Sequence, residues 1–377
     1  MSHRQTQQHE PREWDVRTGD GQVRAMSPVP RETWARVLAA DPGAMAFHLP
    51  EWVDCLCAVG GWQDVGRLYR TGEGRELVLP MVCRPARPHP LAVRASFPPG
   101  WGTGGILAPG GVRPHEVELV LADLAADQAL RTSVRPSFRA AHAWPSPAPG
   151  FVSVPRTVHV LDLDGGMDAI WSQRWPKNTR RNMRTAERRA EKAGLIVETG
   201  SSPELVEDFY DLYLRWLDRR ARERHLPPAV ARSRGKRAEP LAKFHAIAAA
   251  LPGTCRILVA TVEGRPVAAT IVLLRGDVCV YWRGYSDKQT ANPLRANQLL
   301  QLRSIEQACD LGCRYYEMGE SGGVASLKES KTRLGGEERP LTEYRLERVP
   351  LTRLQSRMDD IRGAVKHRFS EWGRVGG

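Results

Sequence analysis

Three apolar runs in quick succession constrain this chain more than any other feature. Arg256–Val262, Val267–Leu274 and Asp277–Arg283 are rich in β-branched and aromatic residues, and only Glu263-Gly264-Arg265-Pro266 and Arg275-Gly276-Asp277 separate them. Connections this short join strands antiparallel, since a parallel pair needs a crossover of about a dozen residues or more. A meander therefore stands at the centre of the C-terminal half. Thr157–Leu163 alternates as a strand ahead of it, and Asn178–Ala193 places Met183, Ala186, Ala190 and Ala193 on one helical stripe that Gly194 closes. Ser201-Ser202-Pro203-Glu204 has the form of a capping box, after which Leu205, Phe209, Leu212 and Trp216 recur every three or four residues. A further helix is expected over Pro240–Leu251. Beyond the meander, Leu294–Leu311 reads as a helix leading through Gly312 to a short strand, Tyr315–Met318, with a last strand at Glu343–Glu347. The expectation is an α+β (mixed α/β) fold whose sheet is mostly antiparallel and flanked by helices.

A chain of 377 residues with 41% hydrophobic residues and eleven tryptophans exceeds one ordinary core and fits two domains. The first 25 residues are polar and are expected to form a tail without regular structure. Residues 26–150 form the expected first domain. It opens with two helices, RETWARVLAA from Arg31 and PEWVDCLCAV from Pro50, followed by a hairpin of Val65–Tyr69 and Leu77–Val82 about Thr71-Gly72-Glu73-Gly74. The Gly- and Pro-rich stretch SFPPGWGTGGILAPGG brings Phe97 and Trp101 into one loop, and a helix is expected over Glu116–Leu130. Ala141–Gly150 reads as a proline-stiffened connector. The second domain is expected over 151–350, with a C-terminal helix or tail over 351–377.

No apolar run approaches the roughly 20 residues of a membrane helix, and the N-terminus lacks the apolar core of a secretion signal, so a cytoplasmic location is expected. Seven scattered cysteines show no zinc-finger spacing and read as reduced core residues; no metal site is expected. The net charge of +12 favours polyanionic partners. Between Arg174 and Lys192 stand eight Lys and Arg against two Glu, and Lys177, Arg181, Arg184 and Arg188 fall at helical steps, with Arg180 beside them. Arg215, Arg219, Arg220, Arg222, Arg224, Arg232, Arg234, Lys236 and Arg237 add a second cluster. Neither is interleaved with aromatic residues, so the pattern suits a phosphate backbone rather than base reading.

The element order over residues 155–345 resembles the GNAT acyltransferase fold. Pro50-Glu51-Trp52, WPKNTRRNMRTAERRAEKAG (175–194), YYEMGES (315–321) and LKESKTRLGG (327–336) resemble the Fem-like branch, which joins two such domains in tandem. The resemblance implies transfer of an aminoacyl group from aminoacyl-tRNA to an amine of a peptidoglycan precursor, or of a peptide or nucleoside-peptide made in antibiotic biosynthesis. It implies no cofactor beyond the aminoacyl-tRNA co-substrate, and the protein is expected to be a monomer. Lys331 aligns with the family's lysine at the aminoacyl ester end, although Ser330 stands where an aromatic residue is usual. An ammonium there would stabilise the oxyanion formed as the acceptor amine attacks, and an activated ester needs no covalent enzyme intermediate. Arg283, Tyr285, Trp101 and Glu320 are the expected substrate-binding residues, with Glu317 and Glu320 as candidate bases. Lys177, Arg180, Arg181, Arg184, Arg188, Arg219, Arg220, Lys328 and Arg333 are the expected tRNA contacts. Two alternatives stand. An acyl-CoA donor needs a glycine-rich phosphate loop, yet GYSDKQTANPLRANQL (284–299) has no glycine after Gly284. A non-catalytic RNA-binding protein would keep the basic face alone.

Overall fold

A computed structural model of the chain describes residues 11–18, 21–86, 91–145, 147–350 and 352. The first half lays down β1 (Arg12–Thr18), β2 (Gly21–Ser27), α1 (Arg31–Ala40), α2 (Pro50–Gly60), β3 (Gln63–Asp64), β4 (Arg67–Arg70) and β5 (Glu76–Leu79). It continues with β6 (Val82–Arg84), β7 (Val93–Ala95), α3 (Pro114–Ala125) and β8 (Arg131–Val134). The second half contains β9 (Val152–Asp162), α4 (Gly166–Ala169), α5 (Lys177–Lys192), β10 (Ile196–Gly200), α6 (Pro203–Glu223), α7 (Pro228–Ala238) and α8 (Leu241–Ala250). There follow β11 (Cys255–Val262), β12 (Arg265–Arg275), β13 (Val278–Ser286), α9 (Lys288–Leu294), α10 (Ala296–Asp310), β14 (Tyr315–Glu320), α11 (Ala325–Arg333) and β15 (Glu337–Glu347).

The mixed, mostly antiparallel architecture flanked by helices is present, with β11, β12 and β13 paired as the meander read from the sequence. Part of the expected N-terminal tail needs correction. Residues from Arg12 form the antiparallel pair β1–β2, in which Val16 lies opposite Val23 and Trp14 opposite Ala25. Their apolar alternation is too short, among charged neighbours, to stand out. Residues 1–10 and the expected C-terminal segment beyond 352 lie outside the described residues. The helix expected over Leu294–Leu311 is present as α10, and the short helix α9, which the sequence reading did not name, precedes it, the two separated by Arg295 with a left-handed φ of 57°. The helix expected to reach Leu130 ends at Ala125, because the chain must extend again to form β8.

The strands form a four-stranded sheet, β1-β2-β4-β5, and an eleven-stranded sheet ordered β10-β11-β12-β13-β14-β9-β15-β8-β7-β6-β3. The larger sheet joins the halves. β15 begins at Glu337 rather than Glu343, pairs with β9 through Arg345, and pairs with β8 from Tyr344 to Glu347. The connector Ala141–Gly150 is likewise built in: Ala143, Trp144 and Ala148 are buried, Trp144 lies 5.1 Å from Tyr344 between ring centres, and the Tyr344 hydroxyl donates to Pro145 O at 2.6 Å.

Each half contains one parallel pair with a helical crossover, β7 with β8 through α3, and β13 with β14 through α9 and α10. In the first half the gap beyond the pair is closed: Ser96 N donates to Ser133 O at 2.8 Å and Gly104 N to Arg135 O at 2.7 Å. In the second half β13 and β14 pair only over Val278–Val280 and Tyr315–Glu317, after which the pairing ends. One core packs α2, α6 and α8 on the sheet through Trp52, Phe209, Phe244, Ile257 and Ile271, drawing on both halves; a second packs α10 through Leu300 and Ile305 against Val272 and Tyr316.

Candidate active site

The end of β14 is shaped by a bulge. Glu317 lies opposite Val160 and Glu320 opposite Val158, so β14 carries one extra residue, and Gly319 takes the left-handed φ of 68° that the bulge requires. The Gly319 and Glu320 carbonyls are thereby turned toward α11. Lys331, in the last turn of that helix, donates to both from Nζ, at 2.9 and 2.8 Å. Gly336 lets β15 pass close beneath, since a Cβ there would sit 2.9 Å from Lys331 O. Burial draws the Lys331 ammonium down to about 8 against the pull of Glu317 and Glu320. Glu317 is only 4% exposed, and burial lifts its carboxyl to about 7 while Lys331 opposes the rise. Each of the two groups favours the charged form of the other, against the burial that disfavours both charges.

His159 of β9 is a neighbour the sequence reading missed; a lone histidine in Val158-His159-Val160-Leu161 was the available signal. It is buried, and neither ring nitrogen has a hydrogen-bond partner among the described residues. Burial first, then the Lys331 charge, lowers its pKa, while Glu338 and the Gly319 backbone act the other way.

Although its backbone touches Lys331, Glu320 turns its side chain into an ionic cluster where the halves meet. Arg135 and Arg156 each reach it at 3.3 Å, and both also reach Glu343, at 3.1 and 2.7 Å. Burial alone would raise the Glu343 carboxyl, but Arg345, Arg135 and Arg156 together hold it at about 2.

Arg283 and Trp101 come together at a second locus between the halves. Arg283 Nη2 donates to Gly100 O at 2.7 Å and to Glu239 Oε1 at 3.0 Å, while Nη1 donates to Trp282 O at 2.9 Å. Trp101 is buried and lies under the ammonium of Lys243, 4.3 Å from its ring centre. Tyr285 shares this side of the sheet but packs among Phe209, Tyr213 and Trp216, with ring centres 4.9–5.4 Å away. Lys331 and Glu320 thus form one group, Trp101 and Arg283 another.

The basic residues lie on two surfaces. Lys177, Arg181, Arg184 and Arg188 are exposed along α5, whereas Arg180 is half-buried and donates to Trp171 O at 3.2 Å. Arg181 and Arg333 line a cavity of about 370 Å³ at the start of α5, together with Pro176, Asn178, Thr179 and Asn182. Arg333 pairs with Glu329, and Lys328 with Glu338 at 2.6 Å. On α6, Arg219 donates to Ser286 O at 3.3 Å and Arg220 pairs with Glu223 at 3.4 Å. Arg189 of α5 reaches Pro293 O at 2.7 Å, so α5 and α6 bracket the same turn around α9. At the start of α10, Arg295 is tied to Asn182 Oδ1 at 2.9 Å. Among the described residues no cluster of three or more His, Cys, Asp or Glu is placed to hold a metal.

Residues 177–328 match the family model described as an acetyltransferase (GNAT) domain, and the chain is a GNAT-fold acyltransferase. Its whole architecture is similar to the crystal structure of FemX, at 12% identity over 86% of this chain and 98% of that one, with a TM-score of 0.61. That likeness makes the fold Fem-like. More distant similarities are to L-PGS from Bacillus licheniformis (14% identity, 85% of this chain and 92% of that one, TM-score 0.49) and to a tandem GNAT protein from the clavulanic acid biosynthesis pathway (14%, 89% and 98%, 0.46). No curated protein matches the sequence.

Proposed function

We propose that the chain transfers an aminoacyl group from aminoacyl-tRNA to an amine of a peptide, nucleoside-peptide or peptidoglycan-precursor acceptor. The observation that carries this reading is the half-buried Lys331 ammonium held on the Gly319 and Glu320 carbonyls at the β14 bulge, just beyond the point where β13 and β14 cease to pair. The acceptor nitrogen attacks the ester carbon, the carbonyl electrons move to oxygen beside the Lys331 charge, and the ester C–O bond then breaks to release the tRNA hydroxyl. The attacking amine gives up one proton and the departing oxygen takes one, with the Lys331–Glu317 pair as local carrier. No covalent enzyme intermediate is needed.

The basic α5 surface, with Lys177, Arg180, Arg181, Arg184 and Arg188, supports a path for the tRNA backbone. Arg333 at its start, Lys328, and Arg219 and Arg220 on the far side of α9 extend it. On this reading aminoacyl-tRNA is the co-substrate, no other cofactor is required, and the protein acts as a monomer in the cytoplasm. Among the described residues no helix is long and apolar enough to cross a membrane.

The test is transfer from a mixture of radiolabelled aminoacyl-tRNAs to an amine pool, with and without RNase, alongside Lys331→Ala. RNase-sensitive product that disappears in the variant is the expected result. Turnover with an acyl-CoA alone overturns the donor assignment.

A further inference from the structure

Lys243 interrupts an otherwise apolar stretch of α8, Leu241-Ala242-Lys243-Phe244, and its side chain is 1% exposed. An ammonium removed from water this completely persists only where charge and hydrogen bonds replace the lost hydration. Here Nζ donates to Glu239 Oε2 at 2.7 Å and to Gly100 O at 2.8 Å, and it lies 4.3 and 5.0 Å from the ring centres of Trp101 and Trp282. Arg283 Nη2 takes the same two acceptors, Gly100 O and the other oxygen of Glu239. One carbonyl of the first half and one carboxylate of the second are therefore each shared by two cations. Gly100 has a φ of 87°, and a Cβ there would meet Glu239 Oε1 at 2.8 Å and Arg283 Nη2 at 3.3 Å, so the approach depends on glycine.

Two cations on one carboxylate leave a positive charge in excess. It emerges at Arg283, whose side chain is 21% exposed and whose Nε–H and second Nη1–H have no partner among the described residues. We propose that Lys243 and Glu239 are positioning residues of the acceptor site: they hold Arg283 so that its free N–H edge receives an oxyanion of the amine-bearing acceptor, with the Gly100–Trp101 turn as the wall. A guanidinium fixed by three bonds presents its remaining donors in one direction and loses little freedom when an anion binds. The inference rests on the acyltransferase reading of the site and is independent of the acyl donor.

Acceptor binding is therefore tested without any donor, by titrating the intrinsic tryptophan fluorescence with three probes: the dipeptide Ala-Ala, its C-terminal amide, and O-phosphoethanolamine. The wild type is expected to bind at least one anionic probe about tenfold or more tighter than the amide, the range for hydrogen bonds to a charged group. Whether carboxylate or phosphate wins identifies the oxyanion. Lys243→Met keeps the apolar stem and leaves Arg283 and Glu239 a neutral pair, and it is expected to bring the anionic probe down to the affinity of the amide. Lys243→Ala is expected to recover the preference when methylammonium is added, which loss of packing alone does not allow. A wild type with no preference for the anion, or a folded Lys243→Met protein that keeps it, overturns the proposal. Failure of the tRNA assay with the preference intact instead removes only the donor assignment.

Discussion

Replacing Lys331 by methionine removes the ammonium while keeping the length of the stem. With burial holding that ammonium at about 8, roughly nine-tenths of the protein carries the charge at pH 7 and roughly one-tenth at pH 9. If the charge faces the developing oxyanion, wild-type kcat falls about tenfold between those values. One oxyanion donor is worth about 10²–10³ in kcat, so Lys331→Met is slower by that factor at pH 7. At pH 9 the deficit shrinks to about 10–10², because most of the wild type has lost its own charge. Lys331→Arg keeps a charge that does not titrate in this range, and its alkaline limb disappears. The assay is single-turnover transfer from preformed aminoacyl-tRNA across the pH series, with spontaneous ester hydrolysis subtracted. A methionine variant within threefold of wild type at pH 7, or one that keeps the alkaline limb, refutes the assignment.

Changing the exposed Arg181, Arg184 and Arg188 to Glu is expected to weaken tRNA binding and flatten its salt dependence by about one unit of log–log slope per lost contact, with the thermal midpoint unchanged, as read by filter binding over a salt series. Glu343 predicts acid lability. Its carboxyl is lowered in the folded state from 4.5 to about 2, so its contribution is complete above about pH 5 and is lost as pH falls toward 2; the difference corresponds to about 3 kcal/mol. Urea midpoints for wild type and Glu343→Gln are expected to differ at pH 7 and converge near pH 2. Phe209→Ala removes a fully buried ring that lies 5.1 Å from Phe244 and 5.3 Å from Tyr285, at a cost of about 3–5 kcal/mol in denaturant unfolding.

The meander, α5 and α6 were legible because each repeats its apolar residues at the period of its own element. α11 was not, since none of its residues is buried and no stripe marks it. The early start of β15 was hidden for a related reason: Glu337–Pro340 is exposed and charged, and only pairing with β9, far away in sequence, makes it a strand. Arg295 concealed the break between α9 and α10 because a left-handed residue is ordinarily looked for as glycine. Of the candidate site, Lys331 was singled out through its string, and Arg283 through its place at the end of a strand. Lys243 and His159 were passed over although each was a single polar residue in an apolar run. The groups around them are contributed largely by distant segments, Gly100 and Glu239 bonding Lys243, and Gly319, Lys331 and Glu338 surrounding His159, and no local pattern announces such convergence.

β15 lies between β8 and β9, and this has a consequence for how the protein is made. During synthesis both of those strands emerge well before residues 337–347 exist, so the larger sheet stands as two pieces, each with a bare edge, until nearly all of the described chain has left the ribosome. Unpaired edges recruit other strands readily. A polypeptide stalled or cut short of residue 337 is thus a seed for aggregation, not a smaller working unit, and the last strand acts as the stitch that closes the molecule.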